Sequence, residues 1–273
     1  MGHLWRIFIT VATSKDPMRS AWRVNMLNLA MGHRTVVSDL ATFVVNPIIT
    51  AIYDANFMYD ISASSDAQID ALLSQARSEY AHARMLTFRL TPWSPPSLEA
   101  RLALIGIEQT RTLCLLLEGD LRGSHQTQDL RPIETDDDWQ SFRELKRAEW
   151  TEHVSPAEAG RGWEVPDGLA AAARLKCPPV RYTMAYVEGR PVGFFNSWAG
   201  VDGMGQVEDL FVLPDHRHRG IATALIHHCV DEARQQGVGP IVICANVADT
   251  PKAMYAAMGW QPIGVFRQYG VSP

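Results

Sequence analysis

Residues Val207–Leu225 constrain this chain more than any other stretch. Val207-Glu208-Asp209-Leu210-Phe211-Val212-Leu213 reads as a buried strand, Pro214–Arg219 as a basic turn, and Gly220 opens directly into an amphipathic helix. The first turn of such a helix leaves about four backbone N–H groups without intrahelical partners, and the peptide dipoles add roughly half a positive charge there. Gly220 and the small Ala222 let a ligand approach that backbone closely, and Arg217, His218 and Arg219 add charge around it. A phosphate or pyrophosphate is the natural guest of this junction.

The elements around the junction follow from periodicity and punctuation. Leu130–Ile133 reads as a short strand, and Asp136–Asp138 caps a helix reaching about Trp150. Residues 151–168 read as loop with room for a short helix, and Leu169–Leu175 as a second helix. Tyr182–Glu188 and Pro191–Trp198 form a hairpin through Gly189-Arg190, and Gln206–Leu213 is the third strand. The helix Gly220–Gln236 carries Ile221, Leu225, Cys229 and Ala233 on one stripe. Pro240–Ala245 is a buried strand, Thr250 and Pro251 start a last helix, and Pro262–Arg267 closes the domain as a strand. The order β-α-α-β-β-β-α-β-α-β describes an α/β fold, a mixed twisted sheet with helices on its faces.

The spacing Arg217-x-x-Gly220-x-Ala222 resembles the pyrophosphate loop of GNAT acyltransferases, R/Q-x-x-G-x-G/A, and the flanking Leu-Phe-Val and Ala-Leu match as well. A second element lies at the right distance: Thr250–Trp260 resembles the family's last helix, A-x-x-x-Y-x-x-x-G-F/W. The resemblance spans residues 128–273 and implies a GNAT fold and acetyl-CoA as co-substrate. It implies that Leu210, Phe211 and Val212 offer backbone groups to the pantetheine arm. Arg217, His218, Arg219, Gly220, Ile221, Ala222 and Thr223 would then wrap the pyrophosphate. The asparagine usual seven residues before the tyrosine is replaced by Ala248, with Asn246 two positions earlier as the nearest substitute.

Acyl transfer from a thioester to an amine needs a deprotonated amine, a polarised carbonyl and a proton for the departing thiolate. Backbone N–H groups at Leu210–Val212 can polarise the carbonyl. By resemblance Tyr255 is the general acid; the plainer reading is a packed helical aromatic. Glu208 is the preferred base, with Asp209 and a purely structural carboxylate as alternatives. Neighbours on a strand point to opposite faces, so only one of the two is expected to face the substrate. Trp150, His153 and Trp163 fall in the region that lines the acceptor pocket in this fold, with plain packing or surface exposure as the alternative reading. His216, His218, His227 and His228 lack further ligands at convincing spacing, and no metal is expected. The expected activity is an acyl-CoA-dependent N-acyltransferase acting on a small-molecule or peptide amine by direct attack. A non-catalytic acyl-CoA sensor is the alternative.

At 273 residues the chain has room for two domains, and 47% hydrophobic with 20% charged residues suits a globular protein. A net charge of -5 argues against a general nucleic-acid binder, and no apolar stretch is long enough for a membrane span. Cys114, Cys177, Cys229 and Cys244 form no C-x-x-C pair, so neither a zinc site nor a disulfide framework is expected, and the location expected is cytoplasmic. The polar stretch Gly119–Asp129 divides the chain into a first unit at 1–124 and a second at 128–273.

In the first half helices are expected at Pro17–Met31, Asp66–Tyr80 and Ser97–Ile105. Strands are expected at Thr35–Val45, Asn56–Ile61, Arg84–Leu90 and Glu108–Leu117. Leu98–Ile107 can be laid over Pro251–Trp260 with Gly106 on Gly259, which suggests an internal duplication, a degenerate GNAT-like domain, with an unrelated accessory α/β module as the alternative. It is expected to be silent: no pyrophosphate-loop pattern occurs there, and Leu102 stands where Tyr255 stands. Its expected roles are covering a sheet edge, building part of the acceptor pocket, or mediating homodimerisation.

Overall fold

The structure is a computed structural model that describes residues 16–154 and 162–273. The first half contains α1 (Pro17–Ala30), β1 (Arg34–Val37), β2 (Thr42–Val45), β3 (Phe57–Tyr59), α2 (Asp66–Glu79), β4 (Leu86–Leu90), α3 (Pro96–Ile105) and β5 (Ile107–Leu117). The second half contains β6 (Asp129–Pro132), α4 (Asp136–His153), α5 (Glu164–Leu175), β7 (Arg181–Val187), β8 (Arg190–Val201) and β9 (Met204–Val212). It ends with α6 (Ile221–Gln235), β10 (Ile241–Asn246), α7 (Pro251–Ala257) and β11 (Gln261–Val271).

All the strands join one mixed sheet in the order β1-β2-β3-β4-β11-β5-β10-β9-β8-β7-β6. Among the described residues only β3–β4 and β9–β10 are parallel pairs. From β1 to β5 the first half repeats the order found from β7 to β11: three strands, a helix, a parallel strand, a helix and a final strand. The final strands are exchanged. β5 pairs with β10 and β11, and β11 lies between β4 and β5, so each half completes its sheet with the last strand of the other. Pro262–Arg267, expected to close the second half on itself, instead forms the middle of a strand inserted into the first.

Local chemistry accounts for the element ends. Ser65 with Gln68 and Thr135 with Asp138 form capping boxes at the starts of α2 and α4. Glu188 and Gly189 both take positive φ, the geometry of a tight two-residue hairpin turn between β7 and β8. Thr35–Val45 is two strands, not one, because the Ser38 hydroxyl accepts the N–H groups of Leu40 and Ala41 and closes a turn there. α5 begins at Glu164, five residues before the expected Leu169, with Pro166 in its first turn, where no intrahelical N–H is required. Part of the expected 151–168 loop lies outside the described residues.

The apolar core covers both faces of the sheet. On one face α1, α4 and α5 pack with Trp22, Phe142, Phe194 and Phe211, and on the other α6 and α7 pack with Leu225, Tyr255 and Trp260. A further cluster fills the first half around Phe43, Leu72 and Leu102 and takes in Tyr269 and Val271 of β11. The halves are also joined through α1: the Trp22 ring packs at a tilt against Phe266 of β11, centroids 4.8 Å apart, and Asn25 accepts a hydrogen bond from Gln206 of β9 at 3.0 Å. Among the described residues no helix is long and apolar enough to cross a membrane.

Candidate active site

β9 and β10 pair only at Gly205–Ile241 and Gln206–Val242. Beyond those residues they part, and the later half of β9 pairs with β8 alone. A cavity of about 550 Å³ lies here, walled by Leu210, Phe211 and Val212, by the start of α6, and by Thr250, Pro251 and Met254 of α7. The turn from β9 into α6 places His218 (φ 60) and Gly220 (φ 77) in the left-handed region. A Cβ at Gly220 would meet nothing within 4 Å, so the glycine serves backbone conformation rather than close packing. No side chain caps α6, and Ala224 is its first residue to return a hydrogen bond, to Gly220 O at 3.0 Å. The N–H groups of Ile221, Ala222 and Thr223 therefore face the cavity as an anion-binding terminus.

The expected coenzyme residues divide into two groups. Leu210, Phe211, Val212, Arg217, His218, Gly220, Ile221, Ala222 and Thr223 all line the cavity. Arg219 and Asn246 do not: Arg219 is exposed and its carbonyl accepts from Gln128, while Asn246 accepts the N–H of Ala248 at 2.9 Å in a local turn. Arg217 spends its guanidinium within the protein. Its Nε donates to Val212 O at 2.9 Å, and its two terminal nitrogens hold Glu152 at 2.7 and 2.6 Å, keeping that carboxyl below its ordinary range. Arg217 thus ties the end of β9 to α4. Glu149, Glu152 and His153 of α4 also line the cavity. Their i, i+3, i+4 spacing is the one signal by which the sequence could have placed them together.

Tyr255 is 4% exposed, packed near Trp260 with ring centroids 6.5 Å apart, while Pro251 and Met254 of the same helix reach the cavity. Burial, aided by Asp249, pushes its phenol well above the ordinary range, so it stays protonated.

Glu208 and Asp209 do not alternate. Asp209 has φ 66, and the register passes from Asn196↔Glu208 to Phe194↔Phe211, so two residues of β9 stand opposite one of β8. Both carboxylates consequently reach the face of the sheet that carries α4 and α5, which overturns the expectation of opposite faces. Glu208, with its side chain 15% exposed, meets Lys176 Nζ at 3.3 Å and accepts from Gln206 at 3.1 Å. Burial raises its pKa, against the opposing pull of Lys176. Asp209 binds the buried Lys146 and accepts from Tyr182 OH at 3.1 Å. Neither lysine was singled out from the sequence, nor was Asn196, which is fully buried with its whole carboxamide unpartnered.

A second cavity, about 230 Å³, lies between the halves, lined by Ile52, Tyr53 and Asn56 on one side and Trp150 and Glu164 on the other. Trp163, by contrast, is largely exposed beneath Arg147. His227 stacks on His125 at 4.5 Å, and among the described residues no cluster of three or more His, Cys, Asp or Glu could hold a metal.

Several solved structures share this fold along the whole chain. A GCN5-related N-acetyltransferase from Kribbella flavida has a TM-score of 0.69 at 16% identity, covering 95% of this chain and 97% of its own. A conserved protein of unknown function from Staphylococcus epidermidis has a TM-score of 0.62 at 15% identity, covering 88% and 94%. A tandem GNAT protein from the clavulanic acid biosynthesis pathway has a TM-score of 0.58 at 14% identity, covering 96% and 97%. No curated protein matches the sequence. The model of the acetyltransferase (GNAT) family matches residues 139–260, from α4 to the residue before β11, which marks a GNAT domain within the second half of this chain.

Proposed function

We propose that this protein transfers an acetyl group from acetyl-CoA to the primary amine of a small molecule or peptide, by direct attack of the amine on the thioester. The observation that carries this reading is the cavity in which the uncapped N-terminus of α6 faces the unpaired edge of β9. The helix terminus suits a pyrophosphate, and the β9 edge suits an extended arm that needs backbone partners. The thioester brings an activated acetyl carbonyl, and the N–H groups of Leu210–Val212 are the donors available to polarise it.

Glu208 is the base in this scheme. Its raised pKa is the right direction for taking a proton from an ammonium, whereas Asp209 is held by Lys146. Tyr255, protonated and on the helix that walls the cavity, supplies the proton for the thiolate. The cavity between the halves is the acceptor's place in this scheme: it abuts α4 at Trp150. A second reading, an acyl-CoA-binding sensor without turnover, is favoured by the packing of Tyr255 in the core rather than on the cavity wall.

The test is calorimetric titration with acetyl-CoA, beside an Arg219→Glu/Gly220→Asp double variant, followed by free-thiol release over a panel of amines and peptides. Binding abolished by the double variant, with amine-dependent thiol release that falls in Glu208→Gln, supports the enzyme. Binding without release for any acceptor supports the sensor, and no binding by the wild type sinks both.

A further inference from the structure

The phase of β9 is set by a single residue. Val207 belongs to the α6 side of the core, so regular alternation would send Phe211 to that side and Val212 to the other. The reverse is observed: Phe211 packs with Phe194 and α4, and Val212 with α6. Asp209 makes the change by taking a left-handed conformation that side-chain-bearing residues rarely adopt. Its carboxylate is gripped from two elements. Lys146 of α4 binds one oxygen, and Tyr182 of β7 donates to the other at 3.1 Å. Lys146 is itself fixed: its side chain is 5% exposed, it donates to Glu149 at 2.9 Å, and it lies over the Phe194 ring at 4.7 Å. The two carboxylates outweigh burial and hold the ammonium charged.

We propose that Lys146 and Tyr182 are positioning residues that lock the Asp209 bulge and thereby set which amides of Leu210–Val212 meet the acyl carbonyl. This rests on the acetyl-CoA reading of the cavity. The latch acts on the β9 end of the ligand, because the pyrophosphate end is built by α6 and contains none of these residues. The acyl carbonyl oxygen exists in acetyl-CoA and not in CoA, and both ligands share the pantetheine arm, so the difference in affinity between them reports the latch at the acyl end without any acceptor amine.

The experiment measures Kd for acetyl-CoA and for CoA on the full chain by calorimetry. The wild type is expected to prefer acetyl-CoA by about tenfold, one hydrogen bond's worth. Lys146→Met and Asp209→Ala lose that preference, their affinity for acetyl-CoA falling about tenfold further than their affinity for CoA. Asp209→Gly keeps it, and so does Asp209→Gly/Lys146→Met, because glycine takes the bulge conformation without being held. Alanine and glycine both remove the carboxylate, so their difference isolates backbone geometry even if Lys146→Met fails to fold. The proposal is overturned if Asp209→Ala keeps the preference, including by an equal fall in affinity for both ligands, or if Asp209→Gly loses it equally. A wild type that binds neither ligand overturns the coenzyme reading itself, whereas one that binds both without a preference removes only the latch.

Discussion

Helices α2 and α6 hold equivalent places in the two halves, each between the strands of a parallel pair, yet their N-termini are chemically opposite. At α2 the Ser65 hydroxyl accepts the N–H of Gln68 at 3.3 Å, and the Gln68 side chain accepts the N–H groups of Ser64 and Ser65, both at 3.1 Å. Asp66 and Asp70 add negative charge, which Arg101 of α3 bridges at 3.0 and 3.4 Å. The capping box takes up the N–H groups of Ser65 and Gln68 and the first turn is acidic, so an anion finds fewer donors and unfavourable charge. At α6 the N-cap is Gly220, with no capping side chain and no acidic residue in the first turn. The following helices repeat the contrast, Leu102 being fully buried in α3 where Tyr255 stands in α7. One scaffold, used twice, has thus been closed by side chains in one copy and left open in the other.

The closed copy cannot be dispensed with. Without the first half, β10 loses β5 along Ile241–Asn246 and β11 loses its partners on both sides. An unpaired β11 and a bare β10 edge are aggregation templates. Residues 125–273 expressed alone should therefore be insoluble or show no cooperative thermal transition, and co-expression with residues 1–124 should restore both. A soluble, cooperatively melting 125–273 fragment would mean that the exchanged strands are not required.

The comparison sharpens at Gly220. Gly220→Asp puts a carboxylate at an open position, so no packing is lost, but a side chain enters the left-handed region and a negative charge enters the anion site. Kd for CoA should rise about 100-fold, while thermal stability falls only by the cost of left-handed strain, about 1–2 kcal/mol. Calorimetry with a melting curve separates the two effects. Unchanged affinity would show that the open terminus is not the coenzyme's anchor.

A smaller effect belongs to the seam between the halves. His33, after α1, shares a hydrogen bond with Asn46 at 2.9 Å, and burial, with the Lys176 charge, brings its pKa down to about 4. The folded value lies below the unfolded one, so stability is intact above about pH 6.5 and is lost as pH falls toward 4. The full shift corresponds to roughly 3 kcal/mol, which partial exposure reduces to about 1–2. Buried Glu149 and Glu208, with raised values, act in the opposite sense, so the informative quantity is the difference from His33→Gln. Urea titrations at pH 7 and pH 4.5 should show the variant losing about 1–2 kcal/mol less than the wild type. Parallel losses would remove His33 from the account.

The elements of both halves were legible because apolar spacing and turn residues act locally, and the α6 junction because its donors follow from a glycine at a helix start. The strand exchange was not. Leu113–Leu117 reads as a buried strand whichever neighbours it has, so nothing marks β11 and β10 as its partners. The same non-locality hides Cys114 and Cys244, distant in sequence but opposite each other in the β5–β10 register as free thiols. At the site, alternation failed at Asp209 because a left-handed aspartate has no periodic signature. Asn25, Gln206 and Lys176 carry no apolar signal in the sequence, and the contacts of α1 with β9 and with Lys176 make them interior.

The smallest expected effect closes the comparison from the α2 side. Ser65→Ala removes the acceptor for the Gln68 N–H and should lower stability by about 1 kcal/mol, measured as a shift in the denaturation midpoint. It should leave Kd for CoA at the α6 site unchanged. It should also create no second site, because Gln68 still accepts two N–H groups of the turn and Asp66 keeps the first turn acidic. Calorimetric stoichiometry reads this directly. One CoA per chain in both proteins leaves the closed copy silent by charge as well as by capping, whereas a second, weaker equivalent in Ser65→Ala would show that the capping hydroxyl alone had kept the two halves apart in function.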